Sequence, residues 1–544
     1  MRGRIVIALA GGALALSTTA TASAGGSPAF STPTGLTGAT GFEPMIATDG
    51  QGHFSDSNPQ GFPGGQGAYY FSSDHGATWS SSVLLGGATG GGDEDNVYAP
   101  YDGSKYAGEM YIADLAATHS TVCYSMDHGA TFWAVGTGPN SPANTPDPNA
   151  CKAETLGATT PSSDRQWLTA DKGGRAYITD HEFFSAQPRM WTTTDGGGDA
   201  FVTPCGSIIG TNDPLLEQYV PQDITGGTLV SKPVVDSNGT VYVLFTTTTQ
   251  QENGGAAQNS TLSGTFSEVF LAVSTDHCTT FNDYTVFDGF NSNLPCNGLN
   301  PPATCNTDQF GDIFNQLAID PQGDLYAAAA GFVGTTPFAT TTDVYLFTHK
   351  AADPLGTWTG PTKLTNDGQG HMLPAITAGL LPGQAAVGFF RTVNNITDPN
   401  NTSAMWTYTI LESSNALDAS PTFSFTDMTG GSGTSHNLYH LGDICNSGTL
   451  CGTGAPGTGT DRSLGDFSSA TLDSTGCPFF SFAGNPGGDS NGTLAYVTHQ
   501  TSNCFAGLAS NVPEAPFVST LVLAGGAVAT AVGVRRLRRR TSAK

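Results

Sequence analysis

The chain has 544 residues, with 45 Asp and Glu against 19 Lys and Arg, a formal net charge of −26. Eight of the basic residues and one acid, Glu514, lie in the terminal segments 1–24 and 511–544, leaving 11 cations against 44 acids, or −33, on the body between them. So acidic a surface argues against nucleic acid and anionic membrane as partners of the body; it suits solubility first, and calcium or a salty exterior second.

At the amino end, Arg2 and Arg4 precede an apolar run over 5–16, and Ala22-Ser23-Ala24 offers a small-residue cleavage site. Residues 1–24 therefore read as a secretory signal peptide. Ten cysteines in an exported chain point to disulfides, and the absence of Cys-x-x-Cys argues against a zinc site. Close pairs such as Cys296 with Cys305 and Cys445 with Cys451 would staple single loops.

From residue 25 to 510 short strands recur. Seven segments each read as strand, polar turn and strand: they start at Met45, Glu109, Trp167, Val234, Leu317, Ala375 and Ala470. Third apolar strands follow most of them, as in Ala68-Tyr69-Tyr70-Phe71 and Val344-Tyr345-Leu346-Phe347. Short alternating strands with Gly/Asp/Asn turns at a repeating period predict one all-β domain, a β-propeller of seven blades with six as the alternative. No helical period stands out, and Gly/Asn/Thr/Ser-rich stretches at 248–263 and 430–434 read as insertions between strands.

At the carboxyl end, Val512-Pro513-Glu514-Ala515-Pro516 leads into an apolar stretch over 517–534, followed at once by Arg535, Arg536, Arg538, Arg539 and Arg540. Motif, span and basic cluster in that order resemble the PEP-CTERM-type sorting signals of bacterial surface proteins, with Ala515 inserted before the usual Pro. The resemblance implies attachment to a bacterial envelope through 511–544. A permanent membrane anchor with its basic end inside is the alternative.

A second repeat lies on the turns. Ser72-Ser73-Asp74-His75-Gly76-Ala77-Thr78-Trp79 recurs as Ser125-Met126-Asp127-His128-Gly129-Ala130-Thr131-Phe132. Ser274-Thr275-Asp276-His277-Cys278-Thr279-Thr280-Phe281 is a looser copy, and Thr193-Thr194-Asp195-Gly196-Gly197 a worn one. In such a turn the Asp binds backbone amides, the Gly takes a positive φ, and the aromatic packs between sheets. Cys278 stands where the others have Gly, so a bridge is expected to hold that turn. His75, His128 and His277 fill the variable slot, where exposure is expected. The pattern resembles the Asp-box (BNR) repeat of sialidase-like β-propellers. That resemblance implies a ring of radial sheets with an axial ligand site, and places the boxes on the outer side, away from it.

Residues just before the innermost strands converge on the axis of such a ring. They are Glu43, Asp93-Glu94-Asp95, Asp164-Arg165, Lys232, Asp308 with Asp312, His371, and Asp461-Arg462 with Asp466. Several of them are equally expected to exchange ion pairs with one another. Sialidases grip the substrate carboxylate with three arginines, the first in a Phe/Tyr-Arg-Ile-Pro motif. The matching stretch here is Phe42-Glu43-Pro44-Met45, with an acid where the arginine belongs. Five arginines remain in the body, of which Arg165, Arg391 and Arg462 adjoin inner strands and form the candidate triad.

Two carboxylates facing each other across a pocket suffice for glycoside cleavage, with Glu43, Asp164, Asp308 and Asp466 as catalytic candidates and Tyr98 as a neighbour. Arg165, Arg391, Arg462, Lys232 and His371 are the candidates for holding substrate, and Trp167 for stacking on a sugar or packing between blades. The acidic run 92–96 offers oxygen ligands to calcium without EF-hand spacing. Two functions follow: a glycoside hydrolase acting on an extracellular glycan or glycoconjugate, or a non-catalytic surface module binding polysaccharide or protein at the same mouth.

Overall fold

The computed structural model describes residues 28–505 except 61–66, 86–91, 105, 117–118, 135–162, 183–187, 194–202, 210–228, 248–267, 289–314, 332–340, 429–437, 445–460, 487–491 and 503. The expected bridges Cys296–Cys305 and Cys445–Cys451, the two terminal segments, both insertions, and Asp195, Asp308 and Asp312 lie outside the described residues. Among the described residues no helix is long and apolar enough to cross a membrane.

Seven antiparallel sheets of four or five strands succeed one another along the chain. The first runs outward through Met45–Thr48, Phe54–Asn58, Gly67–Ser72 and Val83–Leu85. The seventh, Ser469–Leu472, Pro478–Gly484 and Leu494–Ser502, is completed by the amino-terminal strands Ala29–Phe30 and Thr34–Gly35, in register Ala29 to Ser502 and Thr34 to Val497. Both ends of the chain thus share one sheet, which closes the ring. The protein is a seven-bladed β-propeller, the all-β fold and the blade number expected from the repeats. One blade is offset from the sequence reading: Met110–Ala116 is the second strand of the second blade, and Glu94–Tyr98 is its innermost.

Packing lies between neighbouring sheets rather than in one central core. Tyr111, Val122 and Tyr124 of the second blade meet Leu168, Ile178 and Trp191 of the third. Tyr408 of the sixth stacks flat on Phe482 of the seventh, with centroids 3.9 Å apart. Strands covered on both faces are mostly apolar on both, as in Leu325–Gly331, which is buried throughout. Emptying one such contact, as in Phe482→Ala, would cost about 3–5 kcal/mol.

The repeated turns join the third and fourth strands, and three of them share one hydrogen-bond pattern. In the first, Ser72 Oγ accepts from Gly76 N at 3.0 Å, Asp74 Oδ1 accepts from Thr78 N at 2.8 Å, and Oδ2 accepts from Thr78 Oγ1 at 2.6 Å. Asp127 and Asp276 repeat this with Thr131 and Thr280. The third position of each turn faces the preceding blade. A Cβ on Gly76 would meet the Phe479 ring at 2.7 Å, and one on Gly129 the Phe71 ring at 2.4 Å. Cys278 holds the same left-handed conformation, φ 65°, and its disulfide to Cys205 replaces that close approach with a covalent link between the third and fourth blades. A second bridge, Cys477–Cys504, lies in the seventh blade. Phe132 and Phe281 are buried between sheets, and Trp79 packs partly buried against its own cluster.

Candidate functional site

The ring has two mouths: a near one where the innermost strands begin, and a far one where they end. Connections at the far mouth are short, such as Ala170 to Ala176 and Ile319 to Leu325. Those leaving from the near mouth are long, such as Ala134 to Ser163, Thr247 to Glu268 and Asp288 to Gln316. Long connections on a rigid scaffold are where binding surfaces are built.

At the near mouth a left-handed residue lies just before two innermost strands, Glu43 (φ 50°) and Gly465 (φ 76°), and within the first residues of two others, Arg165 (φ 56°) and Leu373 (φ 53°). The pairing of the third and sixth inner strands shifts register at these points, between Asp164 and Trp167 and between Met372 and Ala375. Such a bulge re-aims the side chain it carries. Glu43 and Arg165, from the first and third blades, thereby meet. A Cβ on Gly465 would lie 2.1 Å from Glu43 Cγ, so only glycine leaves room for that carboxylate.

The result is a buried ion cluster drawn from the seventh, first, second and third blades. Arg165 donates to Glu43 Oε1 at 3.3 Å and to Asp466 Oδ2, and its Nε lies 3.4 Å from Asp93 Oδ2. Arg462 donates from Nε to Asp466 Oδ1 at 2.9 Å and from Nη2 to Oδ2 of the same residue. Asp466 N donates to Glu43 Oε1 at 3.0 Å. The side chains of Glu43, Arg165 and Asp466 are at most 5% exposed, whereas Asp93 and Arg462 retain 16% and 28%. Solvent therefore meets the cluster through Asp93 and Arg462.

The two central carboxyls are pushed apart. Burial drives Glu43 well above the ordinary carboxylate range against the pull of Arg165, with Asp93 and Asp466 adding to the rise. Burial acts on Asp466 in the same direction, but Arg165 and Arg462 outweigh it and hold that carboxyl low. Glu43 Oε2 has no hydrogen-bond partner among the described residues, which fits a protonated carboxyl.

Beside the cluster lies an apolar group. Trp167 of the third blade meets Phe467 ahead of the seventh edge-on, centroids 4.8 Å apart, and Met45 joins the same apolar group. Trp167 Nε1 donates to Val230 O at 3.1 Å, so this ring packs between blades and offers no face to a sugar. Beyond it a cavity of about 970 Å³ runs along the inner strands to the far-mouth turns at Asp49, Tyr101, Asp171, Asp236 and Asp320. Of the sequence candidates, Lys232 and Tyr98 line that cavity, whereas Glu43, Asp93, Arg165, Arg462 and Asp466 do not.

The other candidates occupy separate positions. Lys232 donates to Asp95 Oδ1 at 2.6 Å and to Asn96 O at 2.9 Å. Arg391 and His371 belong to the sixth blade: Arg391 Nε donates to Asp367 at 2.5 Å, Asp427 lies 3.7 Å away, and His371 Nε2 is 3.2 Å from Asp367. Arg165 and Arg462 share Glu43 and Asp466, while Arg391 is engaged with blade-six acids. Of Asp164 only the backbone is described, in the strand Ser163–Ala170. Asp93, Glu94 and Asp95 turn toward different neighbours: Asp93 to Arg165, Asp95 to Lys232, and Glu94 buried opposite Asp114. The one His/Cys/Asp/Glu group among the described residues able to converge on a metal is at the far mouth, Asp49 with His53 and His128. His128 departs from its expected exposure, being 29% exposed and stacked on His53.

No protein-family description and no curated protein matches the chain. Among solved structures it is similar to a PL25 ulvan lyase, a polysaccharide lyase (9% identity over 86% of this chain and 96% of that one, TM-score 0.45). It is also similar to the BP39L lectin of Burkholderia pseudomallei (10%, 85% and 96%, 0.45) and to the intramolecular trans-sialidase of Ruminococcus gnavus (10%, 86% and 96%, 0.38). At TM-scores below 0.5 these likenesses add nothing to the topology read from the sheets themselves.

Proposed function

We propose that this is an exported β-propeller that recognises an uncharged extracellular glycan at the near mouth. The observation that carries the reading is the neutralisation of Arg165 and Arg462 by Asp93 and Asp466, with Glu43 Oε1 accepting a further hydrogen bond from Arg165. A guanidinium clamp for a sugar carboxylate needs free donors. Here the donors already face acids, so sialate and uronate gain little. In this reading residues 1–24 export the chain, 511–544 sort or anchor it at the envelope, and the Asp-box-like turns brace the ring from the far side. Binding to an array of neutral and acidic glycans tests it: saturable binding confined to neutral glycans is expected, and preferential binding of sialylated glycans would overturn it.

A second reading rests on the opposite displacement of two neighbouring carboxyls, the pattern of an acid and its partner base. Glu43 would hold the proton and Asp466 the charge, for hydrolysis of a glycoside reaching them past Arg462. Turnover of a fluorogenic glycoside that Glu43→Gln abolishes, with the fold intact, would favour hydrolysis over binding alone.

A further inference from the structure

The far mouth carries an internal comparison. The Asp that ends an innermost strand turns its Oδ1 onto the backbone amide four residues later in the first, fourth, fifth and seventh blades: His53 to Asp49 (3.1 Å), Thr240 to Asp236 (2.8 Å), Asp324 to Asp320 (3.0 Å) and Cys477 to Asp473 (2.8 Å). The other oxygen, Oδ2, accepts from a tyrosine six residues on in three blades: Tyr177 to Asp171, Tyr242 to Asp236 and Tyr326 to Asp320. In the first blade that tyrosine position is Ser55. Asp49 Oδ2 is left facing two imidazoles instead.

His53 Nδ1 lies 2.6 Å from Asp49 Oδ2, and His128 Nδ1, brought in from the second blade, lies 3.4 Å from the same atom. The two rings stack, centroids 3.7 Å apart and 5° from parallel, with both Nδ1 atoms turned to one carboxylate. His128 Nδ1 is buried without a hydrogen-bond partner. Gln51 N, at 2.6 Å, joins His53 N on Oδ1, so the carboxylate is oriented from behind, as outer partners orient a metal ligand. Tyr101 Oη stands 3.4 Å from Oδ2 on the solvent side.

We propose that Asp49, His53 and His128 form a binding site for a divalent transition metal of the zinc type at the rim of the axial cavity, bridging the first and second blades. Two imidazole nitrogens and one carboxylate oxygen suit zinc and its neighbours and disfavour calcium, which takes oxygen alone. Metal–ligand lengths of about 2.0–2.1 Å in a tetrahedron put ligand atoms about 3.3 Å apart. The His128 edge already has that separation; the His53 edge must lengthen from 2.6 Å, and the two parallel rings must tilt so that both Nδ1 lone pairs point at one ion. The equivalent corner between the third and fourth blades has Asp171 and His277 but places Arg175 where His53 stands, and Tyr177 already binds Asp171. It is a built-in control. The proposal is independent of what binds at the near mouth.

The test is calorimetric titration of the metal-stripped full chain with Zn²⁺ alone, with His53→Gln, His128→Gln and His277→Gln in parallel and circular dichroism to confirm folding. Co²⁺ titration followed by visible absorption reports the ligand set. One equivalent of Zn²⁺ is expected, weakened about tenfold or more by His53→Gln and by His128→Gln and unchanged in His277→Gln, with intense cobalt bands of a low-coordinate site. No zinc uptake by the wild-type chain, or uptake that neither His53→Gln nor His128→Gln alters in folded protein, would overturn it.

Discussion

Arg165 in the third blade donates to Asp466 at the start of the seventh, a contact across the axis between residues 301 apart in sequence. Asp466 also holds Arg462, so one buried carboxylate satisfies two guanidiniums. Asp466→Asn would leave both short of charge inside the ring, and breaking such a buried pair costs about 3–5 kcal/mol. Glu43→Gln should behave oppositely. Its raised pKa means that ionising Glu43 in the folded state works against the fold as pH rises above the unfolded carboxyl value of about 4.3. A neutral isostere removes that penalty. Urea titrations at neutral pH should show Asp466→Asn strongly destabilised and Glu43→Gln equal to wild type or more stable; the reverse order would refute the assignment of charge.

The sixth blade should show its own pH signature. Burial opposes protonation of His371, but the carboxylates of Asp343 and Asp367, 3.5 and 3.2 Å from its two ring nitrogens, prevail and raise its pKa. Lys363 on Asp343 and Arg391 on Asp367 complete the chain of charges. A raised histidine contributes fully below its unfolded value of about 6.5 and loses that contribution as pH climbs through the folded one. Asp343 and Asp367 are held low, so their contribution lasts until pH falls below the unfolded carboxyl value of about 3.9. His371→Gln should therefore cost about 1.5–3 kcal/mol near pH 5 and progressively less toward alkaline pH. A deficit that does not vary with pH would mean His371 is neutral throughout.

How much of this was legible in the sequence differs by element. The turns were readable because their chemistry is local: Asp74 binds Thr78 and Asp127 binds Thr131 within one octapeptide. The starts of the inner strands, and so the neighbourhood of Glu43, Arg165 and Asp466, could be read from Phe42-Glu43-Pro44-Met45 and its counterparts. Who pairs with whom could not. Arg165 reaches Glu43 and Asp466 only because a left-handed residue bulges the strand, and no spacing rule encodes that. Arg391 looks equivalent to Arg165 in sequence, yet it sits on a second strand and faces Asp367 and Asp427. The slot of His128 in its turn reads as solvent-facing, because its partner His53 belongs to another blade.

Cys278 offers a sharper test of the turn chemistry. It keeps the positive φ of Gly76 and Gly129 at some backbone strain, and its bond to Cys205 closes a separation of 73 residues between two blades. Cys205→Ser alone should lose about 2–4 kcal/mol by freeing the unfolded chain. Adding Cys278→Gly should recover part of that, since glycine adopts this conformation without a Cβ penalty. Equilibrium denaturation of wild type, single and double variants measures it; a double variant no better than the single would show that the turn does not favour glycine here.

Arg462 and Arg391 separate the near mouth from the sixth blade. Arg462 is the more exposed cation of the cluster, over the carboxyls of Glu43 and Asp466. Arg391 lies over the Phe425 ring, 5.5 Å from its centroid, with Asp367 and Asp427 as partners. A ligand at the near mouth must pass Arg462, so Arg462→Ala should weaken its binding, by roughly tenfold or about 1.4 kcal/mol. Arg391→Ala should leave affinity intact while lowering the unfolding midpoint. Titration of both variants with whichever glycan the array selects decides the matter. Equal loss of affinity in the two would make them parts of one clamp and restore the arginine triad.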